Sequence, residues 1–197
     1  MITTVKKIKS IVFMFFVLTA FMGSAQSTES SGLEMSDLDG TWFKVKRSSK
    51  GYCASEESES LEKDKDKEKG YLYITYGEGG LDGTYVYLDD NKDWHEVEYV
   101  DVDFELGTVK KAILEVYIYD EFGPSDYVYS YYTVTLDTKE KKGSLKSGKL
   151  KTMTGYEAEQ DSDGNYCVFN ATLSGKTVLE KKVPEDVKSI VLVDLPT

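Results

Sequence analysis

The chain has 197 residues, with 24 Lys and Arg, 35 Asp and Glu, one His and two Cys, so its formal charge is −11. Such an acidic chain lacks the basic surface that nucleic acids and anionic membranes require. One His and two Cys are too few for a four-ligand zinc site. We therefore expect no nucleic-acid partner, no metal site and no cofactor.

The N-terminal segment has the composition of a secretory signal peptide. Lysines in residues 6–9 precede an apolar run over residues 11–22, and small residues follow at 23–25. This order predicts cleavage between Ala25 and Gln26 and export to the periplasm or the medium. Twelve apolar residues are too few to span a bilayer, which takes about 20, so we expect no transmembrane anchor. Cleavage removes three Lys and no acid, which shifts the charge from −11 to −14.

Export also bears on the two cysteines. Cys53 and Cys167 would lie in an oxidising compartment, where two such thiols usually pair. Their disulfide would close a loop of more than a hundred residues, for a stabilisation of about 4–5 kcal/mol in the chain-entropy model.

The remaining chain is predicted to be one domain over residues 38–197, preceded by a flexible leader at 26–37. Residues 48–69 are rich in Ser, Glu, Lys and Asp with no apolar stripe, and we predict a solvated loop there. Pro184 followed by two acids predicts a short terminal helix. Apolar residues elsewhere alternate with polar ones, which predicts strands at 41–47, 71–76, 83–88, 94–100, 109–120, 126–136, 145–156, 165–173 and 177–181.

Short strands separated by hairpin-length turns predict an all-β fold. We expect a single antiparallel up-and-down β-barrel of about 8–10 strands with a short C-terminal helix.

Tyrosine is the most distinctive residue of these strands. Most tyrosines alternate with aliphatic residues and so stand on the opposite face. They serve either as strand formers at the surface or as a binding surface for a glycan or a protein; in a wide barrel they would instead line the interior. The candidate surface consists of Tyr71, Tyr73, Tyr85, Tyr87, Tyr117, Tyr119, Tyr127, Tyr129 and Tyr131.

Motifs for catalysis and metal binding are weak. His95 beside Glu96 is the one place for imidazole chemistry, and a lone strand histidine is more typical of a surface. The acidic turn at 89–93 begins like a calcium loop but lacks its sixth-position Gly and twelfth-position Glu. We therefore expect a protein without catalytic residues.

The segment Leu38-Asp-Gly40-Thr41-Trp42-Phe43 resembles the Gly-x-Trp signature of lipocalins, and Ser125-Asp126-Tyr127 resembles that family's Thr-Asp-Tyr motif. The lone arginine, Arg47, follows the first strand instead of lying near the last one. The resemblance to a lipocalin-like (calycin-type) exported bacterial barrel implies that Gly40 allows a tight turn and that Trp42 closes the base of the barrel. It also implies a non-catalytic protein that holds a small, mostly apolar ligand.

On this hypothesis the interior holds the core or a pocket. The alternative hypothesis is an interaction module that binds a glycan or protein partner through an exposed tyrosine-rich sheet. On the first hypothesis, that of a ligand-binding barrel, the residues expected to form the core or line a pocket are Leu72, Ile74, Val86, Leu114, Val116, Val128 and Tyr132.

Overall fold

The computed structural model describes residues 32–55, 58–108, 110–123, 125–138, 145 and 147–193. Its nine antiparallel strands form one sheet, and this sheet closes on itself because β2 pairs with both β1 and β3. The predicted all-β barrel is confirmed: eight strands close it, and β4 is an extra strand. The strands are β1 (Thr41–Ser55), β2 (Ser58–Gly77), β3 (Gly80–Leu88), β4 (Trp94–Glu96), β5 (Tyr99–Gly107), β6 (Lys111–Gly123), β7 (Asp126–Thr138), β8 (Gly148–Gln160) and β9 (Tyr166–Thr177).

The two ends of the barrel differ in how they are closed. We call the end where β1 begins the base and the end where β1 finishes the mouth. At the base, Leu33, Leu38 and Leu145 are buried in the core of the barrel. Residues 32–37, predicted to end a flexible leader, therefore belong to the base, because Leu33 and Leu38 cover apolar side chains there. The predicted signal peptide, residues 1–25, lies outside the described residues.

The predicted loop at 48–69 is wrong, because β1 and β2 continue through it as one long hairpin. Arg47 pairs with Glu68 and Cys53 with Glu62 in a continuous register. The charges themselves follow a period of two: Lys67 and Lys69 are exposed, whereas Glu68, between them, reaches Arg47 in the interior. A strand whose inner face holds acids thus looks like a solvated loop in sequence.

Two further strand predictions need correction. Residues 177–181 do not form a strand: β9 ends at Thr177, and a 3-10 turn at Glu180–Lys182 leads into helix α1 (Glu185–Val191). The predicted strand 94–100 is divided between β4 and β5, because the amide of Val97 turns to bond the carbonyl of Tyr85 on β3. The short terminal helix after Pro184 is confirmed.

Helix α1 packs on the outer wall of the barrel and forms a second apolar cluster there. Trp42, Tyr71 and Val86 lie in this cluster with Val187 and Val191 of the helix. The expectation that Trp42 closes the base is corrected: strand alternation directs Phe43 into the barrel and its neighbour Trp42 outward. Val86, predicted to point inward, also faces the helix.

Among the described residues, no helix combines the length and the apolar character needed to cross a membrane.

Cys53 and Cys167 face each other across β1 and β9 and form a disulfide, with a sequence separation of 114. Replacing both by Ala should lower the free energy of unfolding by about 4–5 kcal/mol, because the unfolded chain regains the freedom of a long loop. Urea denaturation measures this loss. The reduced native protein is the control and should match the double variant; an unchanged midpoint would contradict the prediction.

The position of Trp42 beneath α1 has a spectroscopic consequence. Ending the chain at Val183 in a Trp94→Phe background should expose Trp42, shift its emission to longer wavelength and increase quenching by acrylamide. The full-length Trp94→Phe protein is the control. Emission that stays the same after truncation would place Trp42 elsewhere.

Candidate functional site

The nine candidate tyrosines do not form one surface. Tyr71 and Tyr73 pack in the outer cluster beneath α1. Tyr85 is fully buried in the core of the barrel, and Tyr87 packs against that core. The other five lie on the outer wall formed by β6 and β7: Tyr117, Tyr119, Tyr127, Tyr129 and Tyr131.

These five tyrosines are joined by Tyr156 of β8, which the sequence analysis did not select. Strand register places Tyr117 opposite Tyr131, and Tyr131 opposite Tyr156. The ring centroids of these two pairs are 4.8 and 5.6 Å apart, and those of Tyr129 and Tyr156 are 5.9 Å apart. We call this surface the tyrosine face: Tyr117, Tyr119, Tyr127, Tyr129, Tyr131 and Tyr156.

Carboxylates hold several hydroxyls of the tyrosine face. The hydroxyls of Tyr117 and Tyr131 both donate to Glu115, and the hydroxyl of Tyr119 donates to Glu121 at 3.0 Å. These bonds favour the protonated form of each phenol, because a neutral hydroxyl can donate to the carboxylate whereas a phenolate cannot. The face therefore presents aromatic rings beside negative charge.

The same surroundings raise the pKa of several phenols on the face. Hydrogen bonds to Glu121 and Glu115 are the main causes for Tyr119 and Tyr131, respectively. Burial and the contact with Tyr156 raise the pKa of Tyr129 to about 12. These hydroxyls consequently stay neutral throughout the physiological range.

The interior is organised around Arg47, which points inward from β1. Its guanidinium donates to Glu68 at 3.0 Å and to Glu157 at 2.6 Å, so it joins opposite walls of the barrel. It also donates to the Tyr132 hydroxyl at 3.1 Å and to Ser130 at 2.8 Å. We call this group, together with Tyr85, the arginine cluster: Arg47, Glu68, Tyr85, Ser130, Tyr132 and Glu157.

Two tyrosine rings complete the arginine cluster. The guanidinium lies 5.5 Å from the centre of the Tyr85 ring, and the Tyr85 hydroxyl donates to Glu68. Glycines opposite these rings make room for them. A Cβ at Gly70 would lie 2.7 Å from the Tyr85 ring, and one at Gly155 would lie 2.8 Å from the Tyr132 ring. Any larger residue at these two positions would clash with the rings and, at shorter distance, with the backbone carbonyl oxygens of Val86 and Ala171.

Burial shifts the titration of the arginine cluster. It raises the pKa of Glu68, although Arg47 acts in the opposite direction. It also raises the pKa of the Tyr132 and Tyr85 hydroxyls. Both phenols are thus neutral hydrogen-bond partners of the ion pairs.

Above the arginine cluster, a pocket of about 80 Å³ opens at the mouth. Tyr87, Val97 and Phe122 contribute to its wall. The notable feature is charge, because Arg47 is the one cation of the lining. The acids of the lining are Asp66, Glu68, Asp120, Glu157 and Glu159.

The remaining candidate groups belong to neither site. His95 is half exposed, with its Nε2 atom 3.1 Å from Asp89 in the turn before β4 and its ring centroid 5.7 Å from that of Tyr87 in the pocket wall. Over the described part of the chain, no three His, Cys, Asp or Glu residues are arranged to hold a metal ion. Gly40 has a φ of +66°, which allows the tight turn into β1.

Comparison with known proteins adds no relative. No family model, no curated protein and no solved structure matches the chain. The closed antiparallel barrel is consistent with a lipocalin-like fold.

Sequence reasoning missed the arginine cluster, although one signal for it was present. Arg47 is the lone arginine and occupies an inward position of β1, two residues after the buried Val45. A buried guanidinium requires acceptors, and these come from β2, β7 and β8. Their distance in sequence hides them.

Arg47→Met should lower the free energy of unfolding by about 3–5 kcal/mol, because it leaves Glu68 and Glu157 buried without their cation. Guanidinium denaturation measures the loss. Lys46→Met, on the outer face of the same strand, is the matched control and should have little effect. Adding Glu68→Gln and Glu157→Gln to Arg47→Met should restore part of the stability. Equal stability of the two single variants would refute this role of Arg47.

Proposed function

We propose that the protein is an exported, non-catalytic interaction module that holds a protein or glycan partner on the tyrosine face. The observation that carries this proposal is the aromatic surface itself. Six tyrosines on three adjacent strands contact one another at 4.8–6.2 Å between ring centroids. Tyrosine supplies large contact area at a low cost in side-chain entropy and is enriched at binding interfaces.

The contrast with the other aromatic wall supports this function. There, Tyr71, Tyr73 and Trp42 are covered by α1. On the tyrosine face, no described helix or loop makes such a cover, and Tyr156 is 44% exposed. The chain's own helix thus covers the aromatic wall beneath α1, whereas the tyrosine face is available to a partner.

The interior gives a second argument for the outer surface. Pockets for small ligands usually measure about 300–1,000 Å³, whereas the pocket at the mouth measures about 80 Å³. Side chains of the apolar core and of the arginine cluster are buried in the barrel below it. The volume therefore favours an outer binding surface over a ligand enclosed in the barrel.

A disulfide between Cys53 and Cys167 supports export, since such bonds persist in oxidising compartments. The closed eight-stranded barrel and the turn at Gly40 support placing the protein among lipocalin-like exported barrels.

A second candidate function is small-molecule binding at the mouth of the barrel. The observation in its favour is the pocket itself, whose lining combines Arg47 with apolar residues such as Ile118 and Val128. A mostly apolar ligand would have to seat against Val97 and Phe122 and keep clear of the acids.

Binding by the tyrosine face is tested with arrays of oligosaccharides and of short peptides, probed with the labelled protein. The variant Tyr119→Thr/Tyr129→Thr should lose at least about tenfold in affinity for whatever the wild type retains, because each lost ring removes contact area. Threonine is a good strand former and preserves the sheet.

Tyr76→Thr is the matched control, because Tyr76 is an exposed strand tyrosine near the base and is not part of the tyrosine face. It should bind like the wild type. Two results would contradict the proposal: no retained probe at all, or equal retention by the double variant. If the double variant retains the probe like the wild type and Phe122→Ser loses it, the result would favour binding in the pocket instead.

A further inference from the structure

The tyrosine face belongs to a part of the barrel without positive charge. Residues 99–107, 113–123, 126–138 and 152–160 are parts of four adjacent strands, and they contain no Lys or Arg. In a chain with 24 Lys and Arg, this gap covers all of β5 and β7 and the parts of β6 and β8 nearer the mouth. A partner laid along these ranges meets no Lys or Arg within them.

Negative charge surrounds the same rings. Glu115 and Glu121 of β6 accept hydrogen bonds from the tyrosine face. Outward positions of the neighbouring β5 add Asp101 and Asp103, which pair in register with Tyr117 and Glu115. Glu105 follows on the same side of β5, and its charge contributes to the raised pKa of Tyr131. Five carboxylates thus border or adjoin the rings.

The combination of tyrosine rings and adjacent carboxylates favours some classes of partner over others. A neutral sugar needs free hydroxyl partners and flat rings, whereas here Glu115 and Glu121 already engage three phenols, and the rings of Tyr117 and Tyr131 are tilted by 48° to each other. A Lys or Arg side chain gains from both components, because its cation is attracted to the ring face and to the carboxylate. Charge complementarity therefore favours a basic protein segment.

The spacing of the rings indicates the conformation of that segment. Tyr127, Tyr129 and Tyr131 occupy alternate positions of β7, and Tyr117 and Tyr119 do so on β6. Alternate residues of a strand are about 6.7 Å apart, and an extended peptide has the same repeat on each of its own faces. A segment with Lys or Arg at every second position thus matches the tyrosines in register.

We propose that the tyrosine face binds an extended protein segment with Lys or Arg at alternate positions, laid along β6 and β7. This inference rests on the proposed function, because it names the partner of the same surface. The rings provide the contact area, while Glu115 and Glu121 supply the attraction and select against acidic partners.

The test uses fluorescence anisotropy of labelled peptides of about ten residues, a length that spans the strands. The probe alternates Arg and Thr. One control peptide has the same composition with its arginines consecutive, and another alternates Glu and Thr. The alternating Arg peptide should bind at least about fivefold more tightly than the consecutive one, and the Glu peptide should not bind.

Two protein variants locate the binding. Tyr119→Thr/Tyr129→Thr should weaken the alternating Arg peptide at least about tenfold, and Tyr76→Thr should leave it unchanged. Glu115→Gln/Glu121→Gln keeps the rings and should weaken binding several-fold, with a smaller dependence on salt. Circular dichroism verifies that each variant is folded. If the Thr variant does not fold, the Gln variant alone tests whether the peptide binds at the tyrosine face.

The inference is overturned if the consecutive peptide binds as well as the alternating one, or if both variants bind like the wild type. Binding of oligosaccharides, or of neutral or acidic peptides, that is lost in Tyr119→Thr/Tyr129→Thr would overturn the inference and leave the proposed function standing. Failure of the wild type to bind any probe would overturn both.

Discussion

A single guanidinium occupies the centre of this barrel. Arg47 reaches from β1 to carboxylates on β2 and β8 and to hydroxyls on β7, so one side chain joins opposite walls. Its charge is buried, which is costly unless every donor finds an acceptor. The partners on β2, β7 and β8 must therefore lie within hydrogen-bonding distance of one guanidinium, which limits how far apart these strands can stand. The arginine cluster lies across the interior, and the small pocket at the mouth lies directly above it, with Arg47, Glu68 and Glu157 in its lining.

Strand alternation could be read from the sequence wherever the inner face is aliphatic. On β6, Ala112 to Ile118 shows the period plainly, and the structure follows it. The reasoning failed where the inner face is polar or where the outer face is covered. On β2, Glu68 points inward to Arg47 and Asp66 lines the pocket, so this part of the strand resembled a loop. On β3 the large Tyr85 points inward because Gly70 leaves room, while Val86 faces α1. The sequence alone does not reveal the polar inner face of β2 or the inward Tyr85 of β3, because both depend on residues of other strands.

Tyrosine plays three roles in this molecule, and position decides which. Inside, Tyr85 and Tyr132 bring hydroxyls to buried ions, which an aliphatic residue of similar size cannot do. Beneath α1, Tyr71 and Tyr73 supply ring surface to an apolar cluster. On the outer wall, the rings contact one another and hold carboxylates at their tips. A count of tyrosines therefore predicts strands well but does not predict which wall is available to a partner.

The outer wall is also polarised along the strands, and this polarity limits where a basic partner can lie. Toward the base, Lys111 of β6 forms an ion pair with Asp137 at 3.5 Å, and Lys149 and Lys151 begin β8. Toward the mouth, the tyrosine face and its carboxylates contain no cation. A basic segment is attracted by the carboxylates and repelled by these lysines, and both effects weaken beyond the roughly 8 Å screening length at physiological salt. The lysines thus limit the surface on the side of the base, and the carboxylates define it beside the tyrosine rings.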